Sequence, residues 1–256
     1  MYYQKTGEGD AIVLIHGFPE NGNLWNNITG HLALTNTLII PDLPGSGQTK
    51  LDGSVSLAEM ASRLKDLLTG EAINKCVVAG HSLGGYVALA FAAMYPEMVA
   101  GLCLVHSTPV TDDEEKKQIR KKSIELIRKG GKRGFLRQMV SGLFSPAFMK
   151  ARPELVERQI AAAMEIEEEG LINFYEAMMH RPDRTNVLQQ PAFPVQWILG
   201  ADDNVIPLQN ILPYCHKADI NFVSFYENCG HMSMIEMPVE LKRDIKAFTD
   251  YCYSVK

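Results

Sequence analysis

The sequence lacks the marks of several protein classes. No apolar run approaches the roughly 20 residues that span a bilayer, and Met1-Tyr2-Tyr3-Gln4-Lys5 has no charged segment leading into an apolar one, so neither membrane insertion nor secretion is expected. Positive charge is not in excess: 25 Lys and Arg stand against 30 Asp and Glu, a net charge of -5, which argues against a nucleic-acid partner and against a basic membrane-binding face. Cysteine is scarce, with 5 residues at irregular spacing that make no disulfide framework, and the expected compartment is a reducing cytoplasm. A phosphate-binding loop is also missing. The glycines of Pro41-Asp42-Leu43-Pro44-Gly45-Ser46-Gly47-Gln48-Thr49 neither open a helix directly nor precede Gly-Lys-Thr, so this stretch reads as a structural loop. What remains is a partner of small-molecule size.

Hydrophobic residues make up 46% of the 256, enough for a full core in one α/β domain with an insertion or in two domains. Continuous apolar runs of the kind buried in parallel sheets occur at Ala11-Ile12-Val13-Leu14-Ile15, Thr37-Leu38-Ile39-Ile40, Val77-Val78-Ala79, Val99 to Val105 and Val195-Gln196-Trp197-Ile198-Leu199. Asn221 to Tyr226 reads as a further strand, and Tyr2 to Lys5 as a short one. Helices are expected around Trp25 to Leu32, over Leu57 to Leu68 with its apolar stripe, after Ser82, over Leu208 to Cys215 and over Val239 to Tyr251. Alternation of strand and helix predicts a mostly parallel α/β sheet.

The alternation breaks between Thr111 and Pro194, where helical periodicity recurs in Ile119 to Ile127, Phe135 to Phe144, Leu155 to Met164 and Leu171 to Met179. We therefore expect a core of residues 1-109 and 194-256 and an inserted helical lid of residues 110-193. Thr111 followed by Asp112, Asp113 and Glu114 reads as a capping box that opens the lid. The basic residues from Lys116 to Arg133, Arg120 among them, read as a solvated helix face. Phe135, Met139, Phe144, Phe148, Met164, Phe174, Met178 and Met179 are expected to divide between helix packing and the apolar roof of a pocket.

Gly80-His81-Ser82-Leu83-Gly84 carries the chemistry. It follows an apolar strand and precedes a helix-forming run, the setting in which G-x-S-x-G exposes a serine on a strained turn. The alternative for Ser82 is a helix N-cap. A serine nucleophile needs a neutral imidazole, and the imidazole needs a carboxylate. Two loops after the last strands supply both: Gly200-Ala201-Asp202-Asp203-Asn204-Val205-Ile206-Pro207 and Glu227-Asn228-Cys229-Gly230-His231-Met232. His231 is the candidate base, and either Asp202 or Asp203 is the acid, the other being free to cap a helix. His16-Gly17-Phe18-Pro19, after an early strand, is a candidate oxyanion loop in which His16 pins the backbone by hydrogen bonds.

Taken together, His16-Gly17, Asp42-x-x-Gly-x-Gly, Gly80-His81-Ser82-Leu83-Gly84-Gly85, Gly200-x-x-Asp203-x-x-x-Pro207 and Gly230-His231 resemble the α/β-hydrolase family over nearly the whole chain outside the lid. The resemblance implies Asp203 as the acid and an oxyanion hole from the backbone N–H groups of Phe18 and Leu83. The chain departs from the family pattern in beginning at what looks like the family's second strand, with too few residues ahead of Ala11 for a full N-terminal hairpin, so a sheet short of one edge strand is expected. The leading expectation is a serine hydrolase, free of metal and cofactor, that opens a small, largely apolar ester or lactone through an acyl-enzyme. Carbon–carbon bond hydrolysis or cofactor-free perhydrolysis by the same triad, and a slow-turnover ligand receptor, are the alternatives.

Overall fold

The apolar runs form strands because a parallel strand covered on both faces has no solvent side on which to alternate. In the computed structural model, which describes residues 1–254, they are β1 (Tyr3–Thr6), β2 (Asp10–Ile15), β3 (Asn36–Pro41), β4 (Cys76–His81), β5 (Val99–Val105), β6 (Val195–Gly200) and β7 (Asn221–Tyr226). They make a 7-stranded sheet in the order β1-β3-β2-β4-β5-β6-β7. Only β1 runs antiparallel, paired with β3 at the edge of an otherwise parallel array. The strands β4, β5 and β6 are buried along their whole length, whereas β7 at the other edge alternates and exposes Val223 and Phe225.

Helices α1 (Asn26–Leu32), α2 (Leu57–Gly70) and α3 (Leu83–Met94) connect the early strands. The crossover from β2 to β3 moves one way along the sheet and that from β3 to β4 the other, so right-handed connections put α1 and α2 on opposite faces. Helix α2 begins at a full capping box, in which Ser56 accepts from the Glu59 amide and Glu59 accepts from the Ser56 amide.

Between β5 and β6 the chain forms α4 (Glu114–Leu126), α5 (Lys132–Ser141), α6 (Pro146–Ala151), α7 (Pro153–Met164) and α8 (Glu168–Met179). Two features differ from the reading of the sequence. The cap of α4 is Asp113, whose carboxylate accepts from the Lys116 amide at 2.7 Å, while the Thr111 hydroxyl donates to the Arg181 carbonyl. Helix α6, capped by Ser145, was hidden because it is too short for periodicity to register. A kink at Gly130, with φ of 82°, separates α4 from α5.

After β6 come α9 (Leu208–Ile211), α10 (Ser233–Glu236) and α11 (Pro238–Ser254). The helix expected over Leu208 to Cys215 stops early and tightens into a 3-10 turn at Leu212–Tyr214, because Pro213 has no N–H to donate and disfavours α geometry in the residue before it. No helix among the described residues is long and apolar enough to cross a membrane.

Candidate active site

The strand β4 hands over to α3 at Ser82, whose backbone (φ 50°, ψ -113°) lies where an L-residue is strained. The turn closes only because its neighbours lack side chains: a Cβ on Gly80 would sit 2.2 Å from the Gly84 carbonyl oxygen, and one on Gly84 would sit 2.3 Å from that of Ile15. Ser82 occupies the N-cap position but makes no side-chain capping bond, so the hydroxyl is left free. The backbone is held from both sides, with the Ser82 amide donating to the Val105 carbonyl at 2.9 Å and the Ser107 hydroxyl donating to the Ser82 carbonyl at 2.8 Å.

The loops after β6 and β7 bring Asp203 and His231 together, with Asp203 Oδ2 2.7 Å from His231 Nδ1. That contact puts the proton on Nδ1 and leaves the Nε2 lone pair for another partner. The other carboxylate oxygen accepts from the Val205 and Ile206 amides at 2.9 Å each, which fixes the rotamer. Burial by itself would raise the Asp203 carboxyl, but the charge on His231 and the hydrogen bonds from His106 and His231 outweigh it and hold the group well below the usual carboxylate range. Asp202 is half-buried and makes no side-chain hydrogen bond among the described residues.

Ser82 and His231 line one cavity of about 500 Å³ with Phe18, Tyr86, Arg120, Phe135, Met139, Tyr175 and Met178. No hydrogen bond joins Ser82 Oγ to His231 Nε2 among the described residues, and such contacts often tighten only around substrate. The Phe18 and Leu83 amides have no acceptor among the described residues. Phe144 does not line the cavity and stacks on Phe148 in the insertion.

Three residues given no role in the sequence reading complete the site. His106 directs Nδ1 to the same Asp203 oxygen at 3.1 Å, and its Nε2 is buried without a partner. Burial pushes this imidazole down to about 4, against the pull of the Asp203 hydrogen bond, so it is neutral. Glu20 accepts from the Gly17 amide at 2.8 Å and pairs with His81 Nδ1 at 2.9 Å, and His81 Nε2 donates to the His231 carbonyl at 2.9 Å. Burial opposes ionisation of both members, yet their mutual attraction prevails, lowering the Glu20 carboxyl and raising His81. His16 pins its loop from both ring nitrogens, to the Gly17 carbonyl at 2.8 Å and to the Leu43 amide at 2.9 Å.

The insertion reaches this site directly. The His231 amide donates to the Leu143 carbonyl at 2.7 Å, and the Glu236 carboxylate accepts from the amides of Ser145, Gly230 and Met232 at 3.0 to 3.2 Å. His106, Asp203 and His231 also form a potential metal-ligand group. Their 2.7 and 3.1 Å contacts are, however, N–H···O hydrogen bonds to one oxygen, with the second oxygen already taken by two amides.

A family model described as the alpha/beta hydrolase family matches residues 12–243. The chain belongs to the alpha/beta hydrolase family. It is 29% identical over 250 residues to a pimeloyl-[acyl-carrier protein] methyl ester esterase of Sodalis glossinidius, covering 93% of each chain. It is also 29% identical over 270 residues to an uncharacterized protein of Mycobacterium tuberculosis, covering 97% of this chain and 77% of that one. Among solved structures, a thermophilic esterase from Thermogutta terrifontis with malate bound superposes with a TM-score of 0.93 at 27% identity, over 98% of this chain and 93% of that one. This alpha/beta hydrolase is thus an enzyme of the hydrolase class.

Proposed function

We infer that this alpha/beta hydrolase is a serine hydrolase that cleaves a small ester or lactone through an acyl-enzyme, with Ser82, His231 and Asp203 as its triad. The observation that carries the reading is the strained, uncapped Ser82 in one cavity with a histidine whose tautomer is set by a buried carboxylate. Ser82 Oγ attacks the carbonyl carbon while His231 Nε2 takes its proton, and Asp203 steadies the imidazolium. The oxygen that becomes negative is received by the free amides of Phe18 and Leu83, which need no reorganisation as the charge develops. The imidazolium then protonates the leaving alkoxide. Water, deprotonated by the same Nε2, opens the acyl-enzyme and restores Ser82. No metal or cofactor takes part in these steps.

His106 acts here as a positioning residue, donating to the Asp203 carboxylate without competing for its proton. The Glu20–His81 pair ties the loop of Phe18 to the elbow and to the His231 backbone. Residues 1-109 and 194-256 form the catalytic core in this reading, and residues 110-193 a lid whose Phe135, Met139 and Met178 exclude water from the acyl group.

The test combines a fluorophosphonate probe with a panel of p-nitrophenyl esters. Wild-type protein is expected to label and to turn over. The Ser82→Ala variant should keep its fold but lose labelling and about 10³- to 10⁶-fold in rate. Ester turnover surviving in pure Ser82→Ala protein would refute the mechanism, and labelling without turnover would favour the ligand-receptor reading.

A further inference from the structure

The sequence places Arg120 in a basic stretch that reads as a solvated helix face, yet its side chain is only 11% exposed and belongs to the wall of the cavity that holds Ser82 and His231. It is held there by Asp112, whose carboxylate is buried and shared between two guanidinium groups. Arg120 donates to it from Nε at 2.6 Å and from Nη2 at 3.3 Å, and Arg181 from Nη2 at 2.9 Å. Two cations thus face one anion. Arg181 lies outside the cavity lining and its terminal nitrogens are taken, Nη1 donating to the Met178 carbonyl and Nη2 to the Val110 carbonyl, both at 2.8 Å, with the group 4.0 Å from the centre of the Tyr86 ring and only the buried Nε without an acceptor. Arg120 is not. Its Nη1 has no acceptor among the described residues, its bond from Nη2 is long, and no aspartate or glutamate lines the cavity.

Burying a charge without a partner is costly, and a wall that keeps a surplus cation beside a reaction centre is complementary to an anion. We propose that Arg120 is a substrate-binding residue that anchors a carboxylate carried by the ester substrate, so that the enzyme prefers half-esters of dicarboxylic acids over neutral esters of equal length. A carboxylate fits the free Nη1–Nη2 edge of a guanidinium in a two-point contact. Its single negative charge matches the single surplus positive one, whereas a phosphate would leave charge uncompensated. The apolar surface of Phe135, Met139 and Met178 suits the methylene chain between the two ends. The proposal takes the ester-hydrolase reading as its basis for the substrate, but the anion site itself is independent of turnover.

The experiment compares mono-p-nitrophenyl esters of straight-chain dicarboxylic acids with p-nitrophenyl esters of the matching monocarboxylic acids, in wild type, Arg120→Gln and Arg120→Lys. Arg120→Gln leaves Asp112 paired with Arg181, so no buried carboxylate is orphaned. In the wild type, kcat/KM should favour the half-esters by about ten- to a hundredfold, the range of a hydrogen bond to a charged group. Arg120→Gln should bring that ratio close to one, chiefly through KM, and Arg120→Lys should restore part of it. In a second arm, glutarate and adipate binding to Ser82→Ala is measured by calorimetry with and without Arg120→Gln. Loss of binding in the double variant supports the anion site even if no ester proves to be a substrate. A wild type indifferent to the carboxylate, a preference ratio unchanged in Arg120→Gln, or dicarboxylate binding that ignores the substitution would each overturn the proposal.

Discussion

His106 is buried and neutral, and this couples stability to pH in a calculable way. Its folded-state value is depressed from an ordinary 6.5 to about 4, so its contribution is complete above about pH 6.5 and is lost as pH falls towards 4, where the unfolded chain binds a proton the native protein refuses. The window is 6.5 - 4, or about 2.5 units, and at about 1.36 kcal/mol per unit it amounts to about 3 kcal/mol. His81, whose value is raised, acts in the opposite direction, its contribution being complete below the ordinary 6.5 and lost as pH rises, and it is common to both proteins compared. His16 is also depressed but is common to both proteins compared. The perturbation is His106→Asn, since the backbone at 106 has φ of 49°, a region asparagine enters readily, and the amide still offers a donor to Asp203. Urea unfolding curves for both proteins across the range should show the variant less stable at neutral pH, with the gap closing by about 2 to 3 kcal/mol at about pH 4.5. Parallel stability profiles would refute the claim that His106 is held neutral.

Asp203→Asn should cost about 10⁴-fold in kcat, because a lost carboxylate frees the imidazole to adopt the wrong tautomer, whereas Asp202→Asn should stay within a few-fold; steady-state ester kinetics on both variants decide it, and equal losses would show the wrong acid has been named. Met178→Ala should shift the chain-length preference of ester hydrolysis while fluorophosphonate still labels Ser82, as Met178 lines the cavity. Phe144→Ala should instead cost about 3 to 5 kcal/mol in urea unfolding and leave that preference alone, because Phe144 is buried in the insertion away from the cavity.

The sheet was legible because each parallel strand is an unbroken apolar run, and the elbow because glycine at positions 80 and 84 is a steric necessity written directly in the sequence. Asp203 and His231 stood out for a similar reason, as polar residues in turn-rich loops just past strands. The partners of Glu20, His81 and His106 were not legible. Glu20 and His81 are 61 positions apart and His106 and Asp203 are 97 apart, and nothing local in either segment signals the contact. Arg120 misled for the opposite reason. Its neighbours Lys121 and Lys122 are exposed, and periodicity alone cannot say that one cation in a basic run turns inward when a buried Asp112 awaits it. Thr111 lost the cap of α4 to Asp113 because both satisfy the same local pattern, and only the tertiary bond to Arg181 decides between them.

The hydrogen bond from the His231 amide to the Leu143 carbonyl, together with the three amides gathered by Glu236, bears on how such a protein can be re-engineered. A graft of residues 110-193 from a relative would change more than the chamber above the serine. It would replace one of the two supports of the His231 main chain, the other being His81 from the elbow. Chimeras that keep the turn around Leu143 and Ser145 native, and exchange only the helices beyond it, are therefore the ones in which a new chamber and a working imidazole can be combined.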